Sequence, residues 1–94
     1  MPHDPILVLA VDDLEQNLRL LDAVLSPRGY GVITAASGEE ALEQLERHDV
    51  DLVLLDIMMP GIDGYEVCRR IRAVPRWRFL PVVMITASGD QEKR

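Results

Sequence analysis

The stretch Leu52-Val53-Leu54-Leu55-Asp56-Ile57-Met58-Met59-Pro60-Gly61-Ile62-Asp63-Gly64 decides how this chain is read. Four apolar residues in a row, with no polar alternation, are the pattern of a strand covered on both faces, as in a parallel sheet. The run stops on an acid, Asp56, and the Pro60, Gly61, Asp63 and Gly64 that follow mark a turn-rich loop. A helix carrying Val67, Cys68 and Ile71 inward is expected next, ending before Pro75, which cannot continue the hydrogen-bond ladder.

The same alternation runs outward in both directions. Upstream, Ile6-Leu7-Val8-Leu9-Ala10-Val11 is a buried strand ending at Asp12-Asp13. Leu14, Leu18, Leu21 and Leu25 then recur at helical spacing, and Ser26-Pro27-Arg28-Gly29 should stop that helix. Tyr30 to Ala35 is a weaker second strand, and Ser37 and Glu40 have the spacing of a capping box. A helix to about His48 should bury Ala41, Leu42 and Leu45 and expose Glu39, Glu43 and Glu46. Downstream, Val82-Val83-Met84-Ile85-Thr86 is a fourth buried strand, and a further helix is expected to begin after Ser88-Gly89-Asp90. Strands alternating with helices predict an α/β fold, a doubly wound parallel sheet with right-handed crossovers.

Ninety-four residues hold one domain at most. At 48% hydrophobic and 28% charged the chain has the composition of a folded unit rather than a disordered tail. Sixteen acidic residues against ten basic leave a net charge of -6, the wrong sign for neutralising a phosphate backbone, so no direct nucleic-acid binding is expected. No apolar run approaches the length of a membrane span, the start Met1-Pro2-His3-Asp4 lacks a signal-peptide layout, and the single Cys68 excludes an internal disulfide. A cytoplasmic location and no membrane partner are expected. His3 and His48 have no Cys or His at ligand spacing, and neither is assigned to a metal.

All strands of a parallel sheet point the same way, so Asp12, Asp13, Asp56 and Thr86 should meet at its carboxyl edge, where such folds bind ligands. Three crowded carboxylates repel unless compensated, and a hard divalent cation such as Mg²⁺ supplies that compensation through oxygen ligands. The bland alternative, that these aspartates cap the helices that follow, accounts for one Asp at a time but gives no reason for a second acid beside Asp13.

Val11-Asp12-Asp13, the Leu54 to Gly64 motif and Ile85-Thr86-Ala87 together resemble the receiver domain of bacterial two-component response regulators. The resemblance runs through nearly the whole chain in order and spacing. It implies a flavodoxin-like sheet with strand order 2-1-3-4. It further implies that Asp56 accepts a phosphoryl group from a phosphohistidine, that Asp13 binds Mg²⁺ directly and Asp12 mostly through water, and that the Met58 backbone carbonyl is a further metal ligand. Thr86 would bond a phosphoryl oxygen, with the Ala87 amide close by. The implied partners are a histidine kinase or phosphotransfer protein and an output domain or effector. Phosphorylation and dephosphorylation of the aspartate would be self-catalysed, so the chain is not expected to be an enzyme in the ordinary sense.

The family pattern continues to a fifth strand ending in Lys, whereas the single lysine here, Lys93, stands seven residues beyond Thr86. Residues 1–94 are therefore expected to form a receiver lacking its fifth strand and last helix. Two expectations follow. The chain could instead be a receiver-like interaction module that is inactive in phosphotransfer. Its fourth strand, apolar and guarded only by Pro81, would be an edge that invites self-association as a two-fold dimer.

An enzyme reading, a Mg²⁺-dependent phosphatase or phosphotransferase with Asp56 as nucleophile, is disfavoured because such enzymes of the haloacid-dehalogenase type place a second Asp two residues after the nucleophile, where this chain has Met58. Arg69, Arg70, Arg72, Arg76 and Arg78 cluster around Trp77 and could dock a partner, although a solvated face with Trp77 or Phe79 packed beneath is the simpler account. Cys68 reads as a small core filler.

Overall fold

The computed structural model describes residues 5–85. Four parallel strands, β1 (Leu7–Val11), β2 (Gly31–Ala35), β3 (Leu52–Asp56) and β4 (Val82–Ile85), lie in the order β2-β1-β3-β4. Helices α1 (Glu15–Leu25), α2 (Gly38–Arg47) and α3 (Gly64–Arg72) connect them. This is the doubly wound sheet that the alternation predicts, in the flavodoxin-like strand order that the resemblance implies. The expected fourth helix after Ser88-Gly89-Asp90, together with His3, Thr86, Ala87 and Lys93, lies outside the described residues.

Alternation along the strands divides the core between the two sheet faces. Leu9, Val11, Val53 and Leu55 point toward α2 and α3 and pack with Ala41, Leu45, Val67 and Ile71 in one fully buried cluster. Val8 and Ala10 point the other way, toward α1, where Leu18 is buried.

On that second face the helical periodicity overstates burial. Leu14 is 45% exposed, Leu21 and Leu25 are half-buried, and Leu20 and Val24 stand largely in solvent. The reason is the path of α1, which rests on β1 and β2, so that Leu52 and Leu54 of β3 are covered less than Val53 and Leu55.

The chain breaks fall where the turn chemistry puts them. After α1 a single 3₁₀ turn, Ser26–Arg28, ends at Gly29, whose φ of 95° is the left-handed conformation that glycine adopts without a Cβ clash. At the start of α2 the Ser37 hydroxyl accepts from the Glu40 amide at 3.1 Å. The reciprocal bond lands one residue early: Ala36 N–H, not Ser37 N–H, donates to Glu40 Oε1 at 2.9 Å.

Candidate functional site: an aspartate cluster at the carboxyl edge

β1 and β3 are neighbours in register, with Val11 opposite Leu55, so the residues leaving them emerge side by side. The pairing persists at this edge: Asp12 N–H donates to the Ala35 carbonyl and Ile57 N–H to that of Ile85, both at 3.1 Å. Backbone bonds therefore hold Asp12 and Asp56 as firmly as the sheet itself. Asp12, Asp13 and Asp56 each offer a carboxylate oxygen, and these oxygens lie within 4.8 Å of one another. Among the described residues this is the one such grouping of acidic, His or Cys side chains, and His48 and Cys68 stand outside it.

The three acids differ in surroundings. Asp12 is 1% exposed and Asp56 6%, whereas Asp13 faces solvent. Burial pushes the Asp56 carboxyl above its ordinary value, and the charge of Asp12 pushes it further. The Met58 amide, donating to Asp56 Oδ1 at 3.2 Å, pulls the other way, and nearby Asp13 raises it again.

The capping alternative does not describe these residues. The residue before α1 is Leu14, whose side chain makes no cap bond, and α3 is capped by Asp63, which accepts from Glu66 N–H at 2.9 Å. Asp63, read from sequence only as part of the turn, thus has a separate structural task. Three acids, none of them the N-cap of a helix and gathered at one edge, make a donor set of hard oxygens that suits Mg²⁺.

Two residues not singled out from the sequence shape the site. The Asn17 carboxamide donates to Asp12 Oδ2 at 3.0 Å. Gly64 approaches so closely that a Cβ there would lie 2.6 Å from the Asp56 carbonyl oxygen. The signal for Gly64 is its place at the end of the turn motif. For Asn17 it is a polar residue in the first turn of a helix that starts from the acidic pair. Of the other expected site residues, Met58 turns its side chain outward at 68% exposure. Thr86 and Ala87 lie outside the described residues.

The arginine cluster is internally partnered. Arg69 and Arg70 both bond Glu66, each reaching 2.7 Å, and this holds the Glu66 carboxyl below its ordinary value. Arg72 donates to the carbonyls of Trp77 and Arg78, and Arg76 pairs with Glu46 and lies 4.7 Å from the Trp77 ring centre. Trp77 packs against the core, while Phe79 is 85% exposed. A solvated face over a packed tryptophan describes this region.

The family model of the response regulator receiver domain matches residues 8–94. PleD of Caulobacter vibrioides, a response regulator, is 50% identical over 87 residues, which are 93% of this chain and 19% of PleD. The chain spans 19% to 36% of the lengths of the leading curated relatives it matches. The N-terminal domain of a response regulator receiver protein from Methanoculleus marisnigri superposes with a TM-score of 0.83 at 47% identity, covering 86% of this chain and 66% of that one. TrrA of Thermotoga maritima, solved in complex with Mg²⁺-BeF, gives 0.71 at 33% identity over 93% of this chain and 92% of that one. In a structure that joins TrrA to the histidine kinase ThkA the match is 0.78 at 41% identity, covering 86% of this chain and 68% of that one. Half-identity to a curated response regulator and a family match through nearly the full length place this chain in the response regulator receiver domain family of two-component signalling.

Proposed function

We propose that Asp56 is the phosphoacceptor of a two-component signalling switch. The observation that carries this reading is the position of Asp56 at the end of a central strand, its carboxylate beside those of Asp12 and Asp13 at an edge open to solvent. Receivers are signalling modules rather than metabolic enzymes, and phosphorylation and Mg²⁺ are typical of the family.

In the reaction proposed, an Asp56 carboxylate oxygen attacks phosphorus in line with the bond to a donor imidazole nitrogen. The new O–P bond forms as the P–N bond breaks, and its electron pair returns to the imidazole. Asp12, Asp13, Asp56 and the Met58 carbonyl would hold Mg²⁺, which when bound neutralises charge on the transferring group. The Met58 amide keeps one Asp56 oxygen in place, the kind of fixed donor that needs no reorganisation during reaction. Thr86 and Ala87 are proposed to contact the phosphoryl oxygens. The donor is proposed to be a histidine kinase or phosphotransfer protein, the recipient of the signal an output domain or effector, and the site of action the cytoplasm.

Incubation of the chain with acetyl phosphate and Mg²⁺, followed by intact mass measurement, tests the assignment. A labile adduct of one phosphoryl group that Asp56→Asn abolishes is the expected result. Absence of an adduct would favour the interaction module, and turnover without an adduct would favour a phosphatase.

A second proposal concerns assembly. Among the described residues β4 pairs with β3 alone, and Val83 is 46% exposed. An apolar strand edge templates strand addition, and we propose self-association as a dimer through β4. Light scattering coupled to size exclusion across a dilution series checks this; a monomer at high concentration would refute it.

A further inference from the structure

Asp12 is the most buried acid of the cluster, and both of its oxygens already accept a bond from the start of α1. Leu14 N–H donates to Oδ1 at 2.9 Å, and Asn17 Nδ2 donates to Oδ2 at 3.0 Å. The first donor is backbone and follows from the turn itself. The second is a choice of side chain, on a helix whose own N-terminus takes no side-chain cap. Asn17 is half-buried, so its carboxamide acts in a partly dry place, where a hydrogen bond is felt more strongly than in water.

A carboxamide has a particular virtue beside this carboxylate. It donates without carrying charge, so the negative charge of the cluster stays available to a cation. Lysine or arginine at position 17 would occupy Asp12 with a charge of its own, and Asp or Glu would add a fourth repelling acid. Each carboxylate oxygen has two lone-pair directions. With one on each oxygen taken by Leu14 and Asn17, the side chain is locked in rotation, and the remaining directions are the ones Asp12 can present to a cation or to its bound water.

We propose that Asn17 is a positioning residue for divalent-cation binding: through its bond to Asp12 Oδ2 it sets the orientation of that carboxylate and thereby favours Mg²⁺ over larger cations. The inference rests on the reading of the aspartate cluster as a Mg²⁺ site. Partners that orient metal-site groups in this way commonly change affinity by roughly 10- to 100-fold when removed. Selectivity follows from the demands of the ions. Mg²⁺ requires near-ideal octahedral geometry, while Ca²⁺ accepts irregular coordination, so a loosened Asp12 penalises Mg²⁺ more.

The test is calorimetric titration of the full chain with Mg²⁺ and, separately, with Ca²⁺, alongside thermal melting in chelator. Asn17→Leu keeps the branched shape and heavy-atom count while removing the donor, and Asn17→Ala serves as a second, smaller variant with high helix propensity. Asn17→Gln returns the carboxamide on a longer arm. The expected result is a Mg²⁺ affinity about tenfold or more lower in the Leu and Ala variants, a smaller loss for Ca²⁺, and recovery of most of the Mg²⁺ loss in the Gln variant. Equal Mg²⁺ affinity in parent and Leu variant overturns the inference alone. Equal losses for both ions, in step with a lowered metal-free melting point and no recovery by Gln, assign Asn17 a purely structural role and also overturn it. A parent chain that takes up neither cation overturns the Mg²⁺ reading itself.

Discussion

At Asp56 burial and the charge of Asp12 both favour the protonated acid, and the Met58 amide favours the anion. The raising influences prevail, so without metal the folded chain holds this proton to a higher pH than the unfolded chain does. Between the ordinary value of 3.8 and the raised one the folded state binds more protons, and stability therefore falls as pH rises through that window. Asp56→Asn removes the effect. In chelator the variant should melt above the parent at neutral pH, and the difference should vanish below about pH 4; a variant that melts lower at neutral pH would contradict this account. Met58 is the other residue with a separable effect. Its exposed side chain stands two residues beyond Asp56, and we propose that an apolar group at this place obstructs the approach of a hydrolytic water once Asp56 is phosphorylated. Phosphorylated Met58→Asn should lose its phosphoryl group faster than the parent, and an unchanged or slower rate in a dephosphorylation time course would argue against the obstruction.

The junction between β3 and α3 is the element on which the site depends most. Gly64 N–H donates to the Ile57 carbonyl at 2.9 Å, closing the loop from Ile57 to Gly64 on itself. A Cβ at Gly64 would meet the Asp56 carbonyl oxygen at 2.6 Å and Ile57 Cα at 2.8 Å, both backbone atoms that cannot rotate aside. Gly64→Ala should therefore destabilise by about 1–3 kcal/mol, as overpacking does, and displace the Met58 amide from Asp56. Asp63→Ala removes only the cap, at about 1 kcal/mol. Urea unfolding of both variants, compared with their phosphorylation by acetyl phosphate, separates the two. Gly64→Ala should slow phosphorylation beyond what its stability loss explains, and Asp63→Ala should not.

For the whole molecule, cation binding and folding are linked. Under the Mg²⁺ reading, a cation at a hundred times its dissociation constant adds about 2.7 kcal/mol. For a domain of this size that raises the melting temperature by roughly 10–20 °C. Asp13→Asn should melt higher than the parent in chelator, because one repelling acid is gone, and should lose the Mg²⁺-dependent rise. Sodium chloride at matched ionic strength should not reproduce the rise, since screening acts on all exposed charges while coordination acts on three. No helix among the described residues is long and apolar enough to cross a membrane.

The element order, the parallel sheet and the meeting of Asp12, Asp13 and Asp56 were legible in the sequence, because each rests on local chain geometry. An unbroken apolar run ending in Asp, as at Leu52 to Asp56, states both strand and strand end, and a common strand direction brings such ends to one edge. The family motif in the same stretch made the flavodoxin-like topology explicit. What the tertiary structure decided is how the residues around those ends differ from one another. It buries Asp12 and leaves Asp13 in solvent, turns Asn17 onto Asp12, brings Gly64 against the Asp56 carbonyl, and leaves Leu14 and, on α1, Leu20 and Val24 largely uncovered. Periodicity reports which face of a helix a residue occupies. Burial and hydrogen bonding depend on what packs against that face, and that is settled only when distant segments of the chain are brought together.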